Sequence, residues 1–319
     1  MKKALVTGGA GFIGSHLVDR LISEGEWTVV VIDNFSSGRI DNLKHHIGSP
    51  LVKIVNGDLK SIEAIQSILI DVDVVFHFAA NPEVRVSTIN PQTHFNENII
   101  ATFNLLEAMR KKDVGELIFA SSSSVYGEPK EIPVSEDAPI KPISVYGASK
   151  AACENLIHAY SHLYGIKAAV LRYANVVGGR MRHGVIYDFI VKLLKRSDEL
   201  EILGDGTQIR SYIHVKDAIE AVMIIEKKGI KTFEVYNVGN NDWITVNEVA
   251  ETITQAINLN NIRYVYKPVL HGVGWLGDVK RITLNIERLK QIGWKPSMNS
   301  RKAVETATIE IFKELLDSR

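Results

Sequence analysis

Cysteine is almost absent from this 319-residue chain, which contains only Cys153. A single cysteine excludes an intramolecular disulfide and a cysteine-based metal cage, and the sequence predicts no metal site. Long apolar runs are also missing: no uninterrupted stretch of about 18 apolar residues occurs, so no transmembrane helix is expected. The N-terminus MKKALVTGGAGFIG lacks the long apolar run and the cleavage site of a signal peptide. These absences predict a cytoplasmic protein without a membrane partner.

An excess of charge of either sign is missing as well. Lysine plus arginine and aspartate plus glutamate each number 37. This balance argues against nucleic acid or an anionic membrane as a partner. Hydrophobic residues make up 45% and charged residues 23% of the chain, which is typical of a globular protein. Its length allows one large domain or two joined domains with a sizeable core.

Short, nearly continuous apolar runs alternate with longer helical patterns in the first half of the chain. The runs predict strands at 3–8, 28–33, 51–58, 73–80, 116–121 and 168–175, with helices at 12–24, 92–112 and 144–164. Strands without polar alternation are typical of a parallel sheet that is covered on both faces. The pattern predicts an α/β fold with a Rossmann-type, doubly wound parallel sheet over residues 1–175.

The regular alternation of strands and helices ends after residue 176. Short strands are predicted at 200–203, 233–239 and 263–267, and helices near 186–196, 215–227, 245–257 and 300–317. Residues 176–319 are therefore predicted to form a smaller α/β lobe, with some later segments returning to the first domain. In this architecture ligands bind at the carboxyl edge of the sheet, over which the lobe is expected to close.

A glycine-rich turn joins the first strand to the first helix. Gly8, Gly11 and Gly14 permit a tight turn, close approach of a pyrophosphate and close packing of helix on strand. Asp33 ends the second strand, 19 residues after Gly14; it can accept hydrogen bonds from the adenosine ribose and would repel a 2′-phosphate, which favours NAD over NADP. Asp58 ends the third strand, and it either contacts the adenine amino group or is a solvated turn residue.

The stretch ISVYGASKAAC places Tyr146 four residues before Lys150. On a helix these two side chains share a face. A nearby ammonium lowers the pKa of a phenol from about 10, so that Tyr146 could act as an acid or base near neutral pH. The same spacing also fits a half-exposed tyrosine beside a solvated lysine. The local pattern leaves both interpretations open.

Motifs along almost the whole chain occur in one family's order and spacing. They are G-x-x-G-x-x-G, DNFSSG, GDL, HFAA, NENIIATFNLLEA, SSSSVYG, YGASK and RYANVVG. In these motifs the chain resembles the extended short-chain dehydrogenase/reductases, and within them it is most similar to the UDP-glucose 4-epimerase group. The resemblance implies catalytic roles for Ser122, Tyr146 and Lys150 and a bound NAD. For NAD it implies contacts with Gly8, Gly11, Phe12, Ile13, Gly14, Asp33, Asn34, Ser37, Gly38, Asp58, Leu59, Phe78, Ala79, Ala80, Asn98, Tyr146, Lys150 and Tyr173.

The resemblance also implies a UDP-sugar substrate held by the C-terminal lobe. The substrate-binding residues it predicts are Ser122, Ser124, Asn175, Val185, Arg210 and Asp278. Related dehydratases and decarboxylases tend to carry an acid at the position of Ser124, so elimination is less expected here than epimerisation. Trp275 stands where many epimerases have an arginine that binds phosphate. Arg85 and Ser87 either line the sugar pocket or are surface residues of a loop.

The predicted reaction is NAD-dependent 4-epimerisation of a UDP-hexose of the UDP-glucose and UDP-galactose type, through a transient 4-keto sugar. The alternatives are a UDP-glucuronate 4-epimerase and another nucleotide-sugar epimerase or reductase. A non-catalytic NAD-binding regulator would usually lose the tyrosine and lysine pair, which this chain keeps. Relatives dimerise through the helices that correspond to 92–112 and 144–164, so a homodimer is expected.

Overall fold

The structure is a computed structural model that describes residues 1–317. Up to residue 173 the helices and strands are β1 (Lys2–Thr7), α1 (Phe12–Ser23), β2 (Trp27–Asp33), β3 (Val52–Asn56), α2 (Ile62–Ile68), β4 (Val74–His77), α3 (Gln92–His94), α4 (Ala101–Lys112), β5 (Glu116–Ser122), α5 (Val145–Tyr164) and β6 (Lys167–Tyr173). The later elements are β7 (Asn175–Val177), α6 (Gly184–Lys195), β8 (Glu199–Leu203), β9 (Ile209–Arg210), β10 (Tyr212–His214), α7 (Val215–Lys228), β11 (Phe233–Val238), β12 (Ile244–Thr245), α8 (Val246–Ala256), β13 (Arg263–Lys267), β14 (Arg281–Ile282), α9 (Glu287–Gln291) and α10 (Ser300–Asp317).

The chain divides into two compact units. The first consists of Met1–Ser122, Val145–Arg172 and Val222–Tyr236. The second consists of Ser123–Ser144, Tyr173–Ala221 and the described residues from Asn237 onward. The chain therefore passes between the units several times.

A seven-stranded parallel sheet forms the centre of the first unit. Its strand order is β11–β6–β5–β4–β1–β2–β3, so the direction of winding reverses between β1 and β4. Leu5, Val31, Phe76 and Leu117 are fully buried on four of its strands, as a sheet covered on both faces requires. The predicted Rossmann-type α/β fold is confirmed. In such a sheet ligands bind where the winding reverses, beyond the carboxyl ends of the strands.

The six strands predicted in the first half all form. Strands β3 and β4 end at Asn56 and His77 rather than at residues 58 and 80, because the chain turns into loops there. The predicted helix at 92–112 is interrupted: Phe95–Ile100 is a π-helical segment between α3 and α4. A π-helical turn carries one extra residue and often lies at a functional site.

The second unit contains three small sheets, with strand orders β10–β7, β12–β9–β14 and β13–β8. Helix α8 begins with a capping box between Thr245 and Glu248. The predicted strand at 233–239 is β11, which lies at an edge of the large sheet. Within residues 1–317 no helix combines the length and the apolar character that crossing a membrane would require.

Candidate active site

The glycine-rich turn lies after β1, at the point where the winding of the sheet reverses. Gly8 has a φ of +67°, and a Cβ there would lie 2.7 Å from the Cα of Ala79. A Cβ on Gly14 would lie 2.3 Å from the carbonyl oxygen of Gly8. Helix α1 begins after Gly11 without a side-chain cap, so its first N–H groups remain for water or a ligand. This cradle fits a pyrophosphate.

Asp33 ends β2 beside this turn and is buried. One carboxylate oxygen accepts a hydrogen bond from the Ala10 N–H at 3.0 Å, and the other accepts one from the Phe35 N–H at 2.9 Å. Burial raises the pKa of Asp33, and the two hydrogen bonds oppose that rise. A Cβ on Gly38 would lie 2.8 Å from the carboxylate oxygens. Glycine at position 38 therefore leaves space beside the carboxylate that a ribose hydroxyl can use.

Asp58 follows β3 and is tied to the loop after β2. The Asn34 side-chain amide donates to its carboxylate at 3.1 Å, and the Lys60 N–H donates at 2.8 Å. Partial burial would raise the pKa of Asp58, but these hydrogen bonds and the nearby Lys60 ammonium outweigh it, and the pKa is lowered. The loop that holds Asn34, Ser37 and Gly38 is thus fixed next to an ionised carboxylate. Leu59, the next residue, is buried in the hydrophobic core.

The loop after β4 approaches the glycine-rich turn through a buried hydroxyl. The Phe78 N–H donates to the Thr7 carbonyl at 3.1 Å, and the Ala79 N–H donates to the Thr7 hydroxyl at 3.2 Å. The same hydroxyl lies 2.7 Å from Nδ1 of His77. Burial, with a smaller effect of Lys150, lowers the pKa of His77 to about 3. A neutral histidine therefore holds the Thr7 hydroxyl that accepts from the Ala79 N–H at the point of reversal.

Asn98 lies in the π-helical segment and makes hydrogen bonds to two other elements. Its Oδ1 accepts from the Asn81 N–H at 2.9 Å, its Nδ2 donates to the Ser149 hydroxyl at 2.8 Å, and its carbonyl accepts from the thiol of Cys153 at 3.4 Å. Asn98 is buried. The segment therefore connects the loop after β4 with helix α5.

Ser122 and Tyr146, which sequence reasoning grouped as catalytic, share a hydrogen bond. Ser122 ends β5, and Tyr146 lies in the first turn of α5. Loss of solvent around the phenol raises the pKa of Tyr146 to about 12, against a lowering by the hydrogen bond with Ser122. The phenol thus has a direct neighbour through which a proton can pass.

Lys150 lies one helical turn after Tyr146 and is buried. Its Nζ donates to the carbonyl of Ala120 at 2.7 Å and lies 4.8 Å from the centre of the Phe119 ring. Burial lowers the pKa of Lys150 to about 8, whereas Cys153 and Glu154 act in the opposite direction. The structure brings Ser122, Tyr146 and Lys150 together at the end of β5.

A buried ion pair next to this group was missed by sequence reasoning. The Glu154 carboxylate accepts from Nε of Arg172 at 3.1 Å and from its terminal nitrogen at 2.7 Å, and it also accepts from the hydroxyl of Ser121. All three side chains are buried. The signal in the sequence was an arginine inside the apolar run AAVLRYAN, because a buried arginine requires an acidic partner.

Five of the six predicted substrate-binding residues lie in the second unit: Ser124, Asn175, Val185, Arg210 and Asp278. Arg210 donates to the Asp278 carboxylate at 2.7 Å, and both side chains are largely buried. The Asn175 amide donates to the Ser211 carbonyl at 3.2 Å. Val185 lies in the first turn of α6, which has no side-chain cap. Arg210 and Asp278 thus form one paired group, which sequence reasoning had treated as two separate contacts.

Ser124 and Trp275, which the sequence analysis related to the sugar nucleotide, also lie in the second unit. Ser124 lies in the 3-10 helix Ser123–Tyr126, and no carboxylate stands at its position. Nε1 of Trp275 is buried without a hydrogen-bond partner among the residues that the structure describes. A buried donor of this kind is normally satisfied by water or a ligand.

The sequence matches one family model. The model for the NAD dependent epimerase/dehydratase family matches residues 4–239. Among curated proteins, a candidate UDP-glucose 4-epimerase of Methanocaldococcus jannaschii is 40% identical over 308 residues, which cover 94% of this chain and 95% of that protein.

Two solved structures are similar over nearly the whole chain. A crystal structure of a UDP-galactose 4-epimerase has 45% sequence identity and a TM-score of 0.87, and the match covers 98% of this chain and 99% of that one. The UDP-glucuronic acid 4-epimerase of Bacillus cereus, in complex with UDP-glucuronic acid and NAD, has 29% identity and a TM-score of 0.90, with the same two coverages of 98% and 99%.

Proposed function

The chain belongs to the NAD dependent epimerase/dehydratase family, and from this premise we propose that it interconverts the C4 epimers of a UDP-hexose of the UDP-glucose and UDP-galactose type. Its cofactor is NAD. The observation that carries the proposal is the hydrogen bond between Ser122 and Tyr146, one helical turn before the buried Lys150. This group supplies the proton transfers that oxidation and reduction at C4 require.

Each residue of the group has its own task in the proposed reaction. When bound, NAD supplies the hydride chemistry at C4, so the chain itself must move the proton of the sugar O4. Tyr146 takes that proton as a phenolate and returns it when the 4-keto sugar, turned to its other face, is reduced. Ser122 holds O4 and passes the proton to Tyr146 when the position of O4 differs between the epimers. Lys150 stabilises the phenolate and binds the nicotinamide ribose.

In this proposal the N-terminal part of the chain binds most of NAD and the C-terminal part binds most of the sugar nucleotide. The turn at Gly8, Gly11 and Gly14 binds the pyrophosphate of NAD, Asp33 binds its ribose, and Asp58 contacts its adenine. Residues 1–175 would provide most of the NAD site and residues 176–319 the nucleotide-sugar site. On the sugar side, the planar fork of Arg210, oriented by Asp278, suits phosphate oxygens.

One ion pair favours a hexose over a uronic acid. The resemblance to epimerases that act on uronic acids implies an arginine for the sugar carboxylate near the position of Arg182. Here Arg182 donates to the Glu314 carboxylate at 2.9 Å, and the same carboxylate accepts from the Arg180 N–H at 2.9 Å. A guanidinium beside a carboxylate already has a partner, so it attracts a sugar carboxylate less strongly. UDP-glucuronate remains the second candidate, because a relative of 29% identity is crystallised with it.

The proposal is tested by the products formed from sugar nucleotides. Purified protein should convert UDP-glucose and UDP-galactose into each other without added NAD and without a lasting absorbance change at the NADH wavelength, because the hydride leaves C4 and returns. Chromatography should resolve the products of these substrates, of UDP-glucuronate and of the N-acetylated hexoses. Turnover of UDP-glucuronate alone would favour the second candidate, and stoichiometric NADH would indicate a dehydrogenase.

The Asp33 carboxylate should set the preference for NAD. Asp33→Asn is expected to reduce the ratio of NADP to NAD dissociation constants by about 10- to 100-fold, as hydrogen bonds to a charged group of about 1.5–3 kcal/mol imply. Isothermal titration calorimetry measures both constants. Asp41→Asn is the matched control, because Asp41 is exposed and pairs with Arg39. Equal affinity of the wild type for the two cofactors would contradict the prediction.

We also propose a homodimer formed through α4 and α5. Phe95 and Phe103 are 50% and 42% exposed, and Leu163 of α5 is 66% exposed. Large apolar side chains that are exposed on the helices through which relatives dimerise are compatible with a subunit interface. Phe103→Glu should therefore convert a dimer into a monomer in light scattering after size-exclusion chromatography. Ile47→Glu, at another exposed apolar residue, should leave the mass unchanged.

A further inference from the structure

Two side chains from the segment Glu83–His94 contact Tyr146. Ser87 lies in the 3-10 helix Val84–Thr88, and its hydroxyl accepts a hydrogen bond from the Tyr146 backbone N–H at 3.0 Å. The His94 ring stands at 66° to the Tyr146 ring, with 5.5 Å between the two centroids. One contact therefore fixes the backbone of the tyrosine and the other fixes its ring.

The Ser87 bond differs from an ordinary helix cap. The first N–H groups of a helix have no partner within the helix, and the residue just before the helix normally caps them. Here the acceptor comes from a residue 59 positions earlier in the chain. The bond therefore ties the first turn of α5 to another segment, at the one residue whose side chain carries the proton.

The His94 ring is fully buried. Neither of its nitrogens has a hydrogen-bond partner within residues 1–317. Burial lowers the pKa of His94, with a smaller opposing effect of Glu83 and a further lowering by Lys150, so the ring is neutral near pH 7. The contact that the structure shows between His94 and Tyr146 is therefore the edge-to-face contact of their rings.

Building on the proposed function, we propose that Ser87 and His94 are positioning residues that hold the Tyr146 phenol in its reactive orientation. Ser87 fixes the backbone from which the phenol projects, and His94 limits the rotation of its ring. Neither touches the reacting atoms. A displacement of about 1 Å in a reacting group can cost on the order of 100-fold in rate, so the effect of these residues should appear in kcat.

The Ser87 contact can be tested without any turnover. Hydrogen exchange at the Tyr146 amide, resolved by fragmentation mass spectrometry of full-length protein, should be faster in Ser87→Ala than in the wild type. Thr88→Ala is the matched control, because the Thr88 hydroxyl lies in the same turn and donates to the Arg85 carbonyl. Unchanged exchange in Ser87→Ala would overturn the proposal even if the protein proves to be an epimerase. Absence of epimerase activity in the wild type would overturn the proposed function and leave this measurement valid.

Steady-state kinetics then test whether loss of the Ser87 contact lowers the rate of catalysis. Ser87→Ala should lower kcat by about 10- to 100-fold with KM and bound NAD unchanged, and Ser87→Thr, which keeps the hydroxyl, should restore it. In a Tyr146→Phe background, Ser87→Ala should cause no further loss, since a residue that acts through Tyr146 has nothing left to position. A further loss, or a rise in KM alone, would mean that Ser87 acts on the substrate instead.

The proposed ring contact of His94 is tested by comparing an aromatic replacement with a small one. His94→Phe keeps an aromatic ring and should leave kcat within about threefold of the wild type, whereas His94→Ala should lower it about tenfold. A His94→Phe variant as slow as His94→Ala would assign the role to the ring nitrogens and overturn the proposed ring contact.

Discussion

Tyr146→Phe is expected to lower kcat by about 10²–10⁴-fold, the usual contribution of one acid/base group. The change removes only the hydroxyl, which shares a hydrogen bond with Ser122, and it keeps the ring that packs against His94. The loss should fall on the chemical step, so that KM and the content of bound NAD change little.

The measurement is kcat of the variant on protein shown to be folded by circular dichroism and loaded with NAD. Tyr164→Phe is the matched control, because Tyr164 lies on the same helix and is exposed; its kcat should equal that of the wild type. Near-wild-type turnover of Tyr146→Phe would mean that the group around Ser122 and Lys150 is not catalytic.

The size of the expected effect depends on the ionisation of Tyr146. The pKa of about 12 that the chain's own groups impose would leave roughly one phenol in 10⁵ ionised at pH 7. Lys150, with its pKa lowered to about 8, still carries its charge at pH 7, but it points to the Ala120 carbonyl. The expectation that Lys150 lowers the pKa of Tyr146 therefore needs a second positive charge nearby, and oxidised NAD carries one.

The fold was predictable because the strands of the large sheet coincide with nearly continuous apolar runs in the sequence. Runs such as TVVVID, which became β2, have no alternative in a globular protein other than a buried strand or a short buried helix, and the flanking glycines decide between them. The turn at Gly8 and the carboxylate of Asp33 were predictable for the same reason. Both residues lie at or next to the end of a strand, so predicting the strand also predicts where these residues fall.

Contacts between distant segments were not predictable in this way. No local pattern says that the run containing Phe233 adds a strand to an edge of the large sheet, or that Ser87 caps the helix of Tyr146. The π-helical turn at Asn98 also has no signature in the spacing of apolar residues, because one extra residue shifts the pattern only locally. Such features depend on which distant segments pack against each other, and local patterns in a single sequence do not reveal those contacts.

The second large effect is expected on stability, when the buried ion pair between Glu154 and Arg172 is broken. Their side chains are 4% and 5% exposed, and the carboxylate also accepts a hydrogen bond from Ser121. Removing one partner of such a pair leaves the other charge buried without compensation, which typically costs about 3–5 kcal/mol. Glu154→Gln keeps the size of the side chain and an acceptor for Ser121, so it isolates the loss of charge. We expect its free energy of unfolding to fall by about that amount.

Urea unfolding measures this change, and the chain offers a matched control on the neighbouring strand. Glu116 pairs with Lys167 at 3.2 Å, but these side chains are 33% and 49% exposed, so Glu116→Gln should cost at most about 1 kcal/mol. The double variant Glu154→Leu/Arg172→Met should be more stable than Glu154→Gln, because an apolar pair leaves no charge buried. If Glu154→Gln lowers the free energy of unfolding no more than Glu116→Gln does, water must reach the pair of Glu154 and Arg172. Since Glu154 lies one helical turn after Lys150 and raises its pKa, the same variant links the stability of α5 to the charge of the proposed catalytic lysine.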